Sequence, residues 1–165
     1  MTRSAAAARV FRQVLEDLGV DADTVEADPT DLGRRGALLA AADLVWSRHL
    51  GPGYSTKQVR ELLGCSRQAV SERVQRGTLL ALPTREGQPT FPAFQFGAGG
   101  SPLPGLGELV RALRDAAASP YTIASWFVTS EPALEGKTPA EWLRAGRPQG
   151  DALQAASRYA ARLRQ

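Results

Sequence analysis

The stretch YSTKQVRELLGCSRQAVSERVQRG, residues 54–77, decides how the chain is read. Ser55 or Thr56 can cap a helix whose inner face is Val59, Leu62 and Leu63, at helical spacing. Gly64 can end that helix in a left-handed conformation. Ser66 then caps a second helix with Ala69, Val70 and Val74 inward and Gly77 as its stop. Two short helices joined by a tight glycine-containing turn form a helix-turn-helix. With the apolar side turned in, the second helix presents Arg67, Gln68, Ser71, Glu72, Gln75 and Arg76 outward.

Those residue types match what a DNA duplex offers. An arginine can take guanine O6 and N7 together, and a glutamine can take adenine N6 and N7. Arg67, Gln68 and Ser71 are therefore expected at base edges, with Gln75 further along the same helix. Thr56, Lys57, Ser66, Arg73 and Arg76 are expected at phosphates. Downstream, TLLALP at 78–83 reads as a strand, TREGQP as a turn, and TFPAFQF at 90–96 as a second strand interrupted by Pro92. A hairpin directly after such a helix is a wing, and Arg85 at its tip could reach an adjacent groove or phosphate. Residues 54–96 as a whole resemble the winged helix-turn-helix of excisionase and MerR-type proteins. That resemblance implies double-stranded DNA as a partner. The structural alternative is a pair of helices and a hairpin used only for packing or protein contact.

Charge distribution agrees. Residues 54–96 hold six basic residues against three acidic, whereas residues 1–53 hold six against eight and residues 97–165 eight against six. A local basic excess is what a phosphate-facing surface needs, although the net formal charge of the 165-residue chain is only +3.

The N-terminal third, residues 1–53, reads as two helices. Ser4 can cap the first, with Val10, Val14, Leu15 and Leu18 on one face. The second ends near Leu50 and carries Leu38, Leu39, Ala42, Leu44, Val45 and Trp46. So broad an apolar face must pack on the rest of the chain or on a second copy, so a homodimer is expected.

GAGGSPLPG at 97–105 is rich in Gly and Pro, and residues 97–104 read as a linker. Beyond it, residues 105–165 read as a small helical domain. One helix has Leu106, Leu109, Val110 and Leu113 on one face. Ser119-Pro120 opens another, carrying Ile123, Trp126 and Phe127. Thr138, Pro139 and Glu141 form a capping box with proline at the first helical position, ahead of Trp142 and Leu143. A last helix spans roughly 148–163, with Leu153, Ala156, Tyr159, Ala160 and Leu163 inward. The fold class expected is thus mainly α: an N-terminal helical pair, a central helix-turn-helix with a two-stranded wing, and a C-terminal helical domain.

SWFVTSEPALEGKTPAEWLRAG, residues 125–146, resembles the toxin-binding domain of the Xre/MbcA/ParS antitoxins. The resemblance covers about 105–165. It implies a repressor that binds its own promoter as a homodimer and blocks a RES-domain toxin, a class that consumes NAD. Partner contacts are then expected among Trp126, Phe127, Leu134, Lys137, Pro139, Trp142 and Arg144. From spacing alone, Trp126, Phe127 and Trp142 are more often core than partner contacts, and the arginines of the last helix fit a solvated face or an inserting arm.

Other chemistries find little support. Cys65 is the single cysteine, so neither an intramolecular disulfide nor a cysteine-cluster metal site is expected. His49 is the single histidine, no nucleophile elbow is present, and GAGG lacks the Lys-Ser/Thr of a phosphate loop. No catalysis and no cofactor are expected. No apolar run approaches the ~20 residues needed to cross a bilayer, and the N-terminus lacks the uninterrupted apolar stretch of a signal peptide, so the cytoplasm is expected. The leading expectation is an antitoxin-like DNA-binding repressor. The alternatives are a DNA-binding regulator without a toxin and an adaptor whose helix-turn-helix no longer reads DNA.

Overall fold

A computed structural model of the chain describes residues 45–84, 86–117 and 119–164. The expected first helix, most of the second, and the dimer surface assigned to 1–53 lie largely outside these residues, as does Arg85. The described chain is mainly helical, with one small two-stranded antiparallel sheet. Residues 45–165 form one compact unit.

Residues 45–50 are helical and end with Leu50 buried. Strand β1 (Gly53–Ser55) leads into α1 (Thr56–Leu63) and α2 (Arg67–Gln75). Ser55 caps α1 as half of a capping box with Gln58, and Gly64 closes it at φ 59°. Ser66 caps α2 by accepting from the Ala69 N–H at 3.1 Å. Each such cap stabilises a helix by about 1 kcal/mol. Because these signals are local, the expected helix limits and the observed ones nearly coincide.

The wing differs from expectation. Strand β2 is only Thr90–Pro92, and its partner is β1, with Tyr54 opposite Phe91. Of residues 78–83 only Leu82 pairs, exchanging two hydrogen bonds with Thr90 at 2.8 and 2.9 Å. Residues 93–95 form a 3-10 turn instead of continuing the strand. The physical reason is a buried glutamine. Gln95 is fully buried; its Oε1 accepts from the Leu80 N–H at 2.8 Å, and its Nε2 donates to the carbonyls of Leu80 at 2.9 Å and Pro92 at 3.1 Å. A side chain thereby satisfies the main chain that a strand neighbour would otherwise pair.

Residues 79–82 alternate between two cores. Leu79 and Ala81 pack with Val59, Val70, Phe91 and Phe96 around the helix-turn-helix. Leu80 and Leu82 pack with the C-terminal helices. Those are α3 (Leu106–Arg114), α4 (Pro120–Val128), a 3-10 turn at Pro132–Leu134, α5 (Pro139–Arg144) and α6 (Gln149–Leu163).

Leu106, Leu109, Val110 and Leu113 of α3 are all buried, as their spacing predicts. On α6 the buried face is Ala152, Ala155, Ala156 and Ala160, and Leu163 is exposed, contrary to expectation. Four small side chains let that helix lie close against its neighbours, so its core face is marked by size and not by hydropathy.

Residues 97–104 are also not a loose linker. Leu103 is buried, Gly97 N–H donates to Ser101 O at 2.9 Å, and Phe96 bridges to Pro102. Gly100, at φ 78°, is pressed on Leu62 of α1; a Cβ there would lie 2.6 Å from the Leu62 Cδ1.

Candidate nucleic-acid interface

Helix α2 is fixed at both ends. At its start Ser66 satisfies one free N–H. At its end the last carbonyls all find donors. Arg76 N–H donates to Glu72 O at 2.9 Å, Thr78 N–H to Arg73 O at 2.8 Å and Gly77 N–H to Val74 O at 3.0 Å. Arg114 of α3 supplies the rest, donating from Nη2 to Val74 O at 2.8 Å and from Nη1 to Gln75 O at 2.9 Å. A cation at a helix C-terminus also complements the helix dipole. Gly77, at φ 70°, is where the two segments meet: a Cβ there would lie 3.0 Å from Arg111 Cγ. Sequence periodicity shows none of this, because Arg111 and Arg114 look like ordinary solvent-facing positions of α3.

Between its anchors α2 buries Val70 and turns a polar side to solvent. Arg67, Gln68, Ser71 and Gln75, expected at base edges or along the same face, are placed on the helix as the spacing predicts, with Arg67, Gln68, Ser71 and Gln75 all exposed. Gln68 Nε2 donates to Glu72 Oε1 at 3.2 Å, and Arg76 lies 3.6 Å from the same carboxylate. Exposed ion pairs of this kind contribute about 0–1 kcal/mol, so they yield readily to a competing phosphate or base. The Arg67 side chain makes no hydrogen bond or ion pair with another described residue. Of the residues expected at phosphates, Lys57, Ser66, Arg73 and Arg76 are exposed and Thr56 is half-buried. Lys57 and Thr56 stand at the start of α1; Arg73 and Arg76 stand at the far end of α2. Helices α1 and α2 with the turn between them therefore carry nine of the ten residues expected at DNA, and the tenth, Arg85, is outside the described residues. The loop that carries it is tied down on either side. Tyr121 of α4 donates to Pro83 O at 2.8 Å, and Thr84 Oγ1 donates to Gln88 O at 2.6 Å.

The residues expected to contact a protein partner are placed differently. Trp126, Phe127, Leu134, Pro139 and Trp142 are buried in the C-terminal core. Phe127 stacks on Phe94 at 5.4 Å, and the indole N–H of Trp142 donates to Pro148 O at 2.8 Å. These five are core residues in this chain; for Trp126, Phe127 and Trp142 helical spacing alone also allowed that, whereas the burial of Leu134 and Pro139 departs from expectation. Lys137 and Arg144 are exposed, with Arg144 donating to Phe94 O at 2.9 Å. The tight turn before α5 is built as expected. Thr138 N–H donates to Glu141 Oε2 at 2.9 Å, and Glu141 N–H donates to Thr138 Oγ1 at 3.2 Å.

Among the described residues no group of three or more His, Cys, Asp or Glu side chains could hold a metal ion. No described helix is long and apolar enough to cross a membrane. His49 Nε2 lies 2.8 Å from Ser125 Oγ, packed near Trp46.

Comparison with known proteins returns a solved structure, "NMR structure of Rv2175c". It matches with a TM-score of 0.57 and 24% identity, over 66% of this chain and 81% of that one. The two share a fold. No family model matches the chain, and no curated protein does.

Proposed function

We propose that this chain binds double-stranded DNA sequence-specifically through α2 and acts as a transcription regulator of the repressor kind. The observation that supports this reading is the exposed row Arg67, Gln68, Ser71 and Gln75 on a helix fixed at both ends by Ser66 and Arg114. Arginine and glutamine are the side chains that distinguish base pairs by paired hydrogen bonds, and a helix of this length fits the major groove. In this reading α2 enters the groove at its N-terminal end, and Thr56, Lys57, Ser66, Arg73 and Arg76 hold the flanking phosphates. The loop at 84–89 would lie beside the duplex, where Arg85 could add a contact. The C-terminal helices act from behind, as the support that sets the angle of α2. For a toxin-like partner the burial of the five core residues leaves only Lys137 and Arg144, of the residues expected to meet it, on the surface.

The test is binding of the full chain to a duplex, followed by fluorescence anisotropy across a salt series. Phosphate contacts predict that log K falls linearly with log salt, by ~0.9 for each phosphate neutralised. Binding that is absent at low salt, or that does not respond to salt, overturns the proposal.

A further inference from the structure

On the C-terminal helices, a cleft of about 570 Å3 opens between the end of α4, the 3-10 turn at Pro132–Leu134 and α6. No residue of the helix-turn-helix borders it, so its occupancy and the DNA reading stand or fall separately. Its volume falls in the range of roughly 300–1,000 Å3 typical of pockets for small molecules.

Three features describe what it would take. Arg158 and Arg162 stand one turn apart on α6 and both line the cleft. Among the described residues Arg158 is engaged only by the neutral amide oxygen of Gln154, at 2.7 Å. Arg162 lies over the Tyr159 ring, 5.6 Å from its centroid, and reaches Glu131 only at 4.0 Å. Among the described residues Glu131 is the single carboxylate in the lining, against two arginines.

The wall also contains Trp126, 3% exposed, whose Nε1–H has no hydrogen-bond partner among the described residues. That N–H is itself closed to solvent, so the indole borders the cleft as a wall and not as a donor to its contents. Beside the two arginines the lining includes Pro132, Ala133 and Tyr159.

We infer that this cleft is a binding site for a small organic carboxylate. Its oxygens take the charge of Arg158 and Arg162, and its apolar body lies against Tyr159, Pro132 and Ala133. A carboxylate pairs with the guanidinium groups through charge-assisted hydrogen bonds, which a neutral ligand or a cation does not.

The indole N–H resonance of Trp126 in the full-length protein reads occupancy directly. Trp126→Phe assigns the resonance by its disappearance. Benzoate is the probe, and benzamide, its neutral counterpart of nearly the same shape, is the control. Benzoate in the millimolar range should move the Trp126 resonance saturably, and benzamide should not. The exposed pair Arg158→Gln with Arg162→Gln leaves the core untouched and should weaken benzoate binding at least about tenfold, as loss of a charge-assisted contact predicts. The inference is overturned if benzoate leaves Trp126 unmoved. It is equally overturned if benzamide or the double variant gives the same shift. A response to a glutamate-rich hexapeptide without any response to benzoate would overturn the small-ligand assignment.

Discussion

Arg114, at the end of α3, donates to the carbonyl of Val74, at the end of α2, across a distance of 2.8 Å. The contact joins residues forty positions apart and ties the helix proposed to read DNA to the C-terminal helices. With the second bond to Gln75 O, it completes the accounting of the α2 carbonyls. Arg114→Ala should lower stability by roughly 1–2 kcal/mol, since two charge-assisted bonds and a favourable dipole interaction go together. Arg114→Lys should recover part of that, because lysine keeps the charge but not the fork. Chemical denaturation of the three proteins checks this. Equal midpoints would mean that the bonds hold nothing.

Gln95 gives a sharper stability test. Its side chain pairs both main-chain groups of Leu80 in a site closed to water. Gln95→Leu keeps the approximate volume but strands a buried N–H and a buried C=O. A loss of roughly 2–6 kcal/mol is expected, from about 1–3 kcal/mol for each of the two unsatisfied groups. Thermal unfolding monitored by circular dichroism measures it, and a neutral substitution would show that Leu80 finds other partners.

Glu141 links stability to pH. Its carboxylate accepts from the Thr138 N–H and caps α5, and this hydrogen bonding holds its pKa below the ordinary carboxylate value, with Lys137 and Arg144 adding smaller contributions. A lowered folded-state pKa means that the ionised form is the one the fold favours. Its contribution is therefore present above the unfolded-state value and lost as pH falls through the folded-state one. Glu141→Gln should be less stable than the parent at neutral pH, and the gap should close as the solution is made acid. A gap that is constant across the series would contradict the assignment.

How far the sequence reveals this molecule depends on how local each determinant is. Ser55, Gly64, Ser66, Gly77, Thr138 and Glu141 act on residues within a turn of themselves, so helix limits and caps are legible in one dimension. The wing is not. Its strand pairs with Gly53–Ser55, nearly forty residues earlier, and Gln95 does the work of a strand from a position that reads as a polar strand residue. Glycine and proline in 97–104 suggest a flexible joint, yet Leu103 and Gly100 pack, because composition does not report contact. Arg67, Gln68, Ser71 and Gln75 of α2 emerge exposed because an amphipathic helix declares its polar side. The aromatic residues expected at a partner surface emerge buried, since hydrophobicity marks core and interface alike.

Choosing among sequences is the central claim for α2, and a binding-site selection from a pool of random duplexes addresses it most directly. The parent should enrich a defined motif. The double change Arg67→Ala with Gln68→Ala should blur it at the contacted positions, where each good paired contact discriminates by ~1–3 kcal/mol, while Arg76→Ala should weaken all sites alike and leave the motif intact. A parent that enriches nothing, or a motif that survives the loss of Arg67 and Gln68 unchanged, would contradict the account.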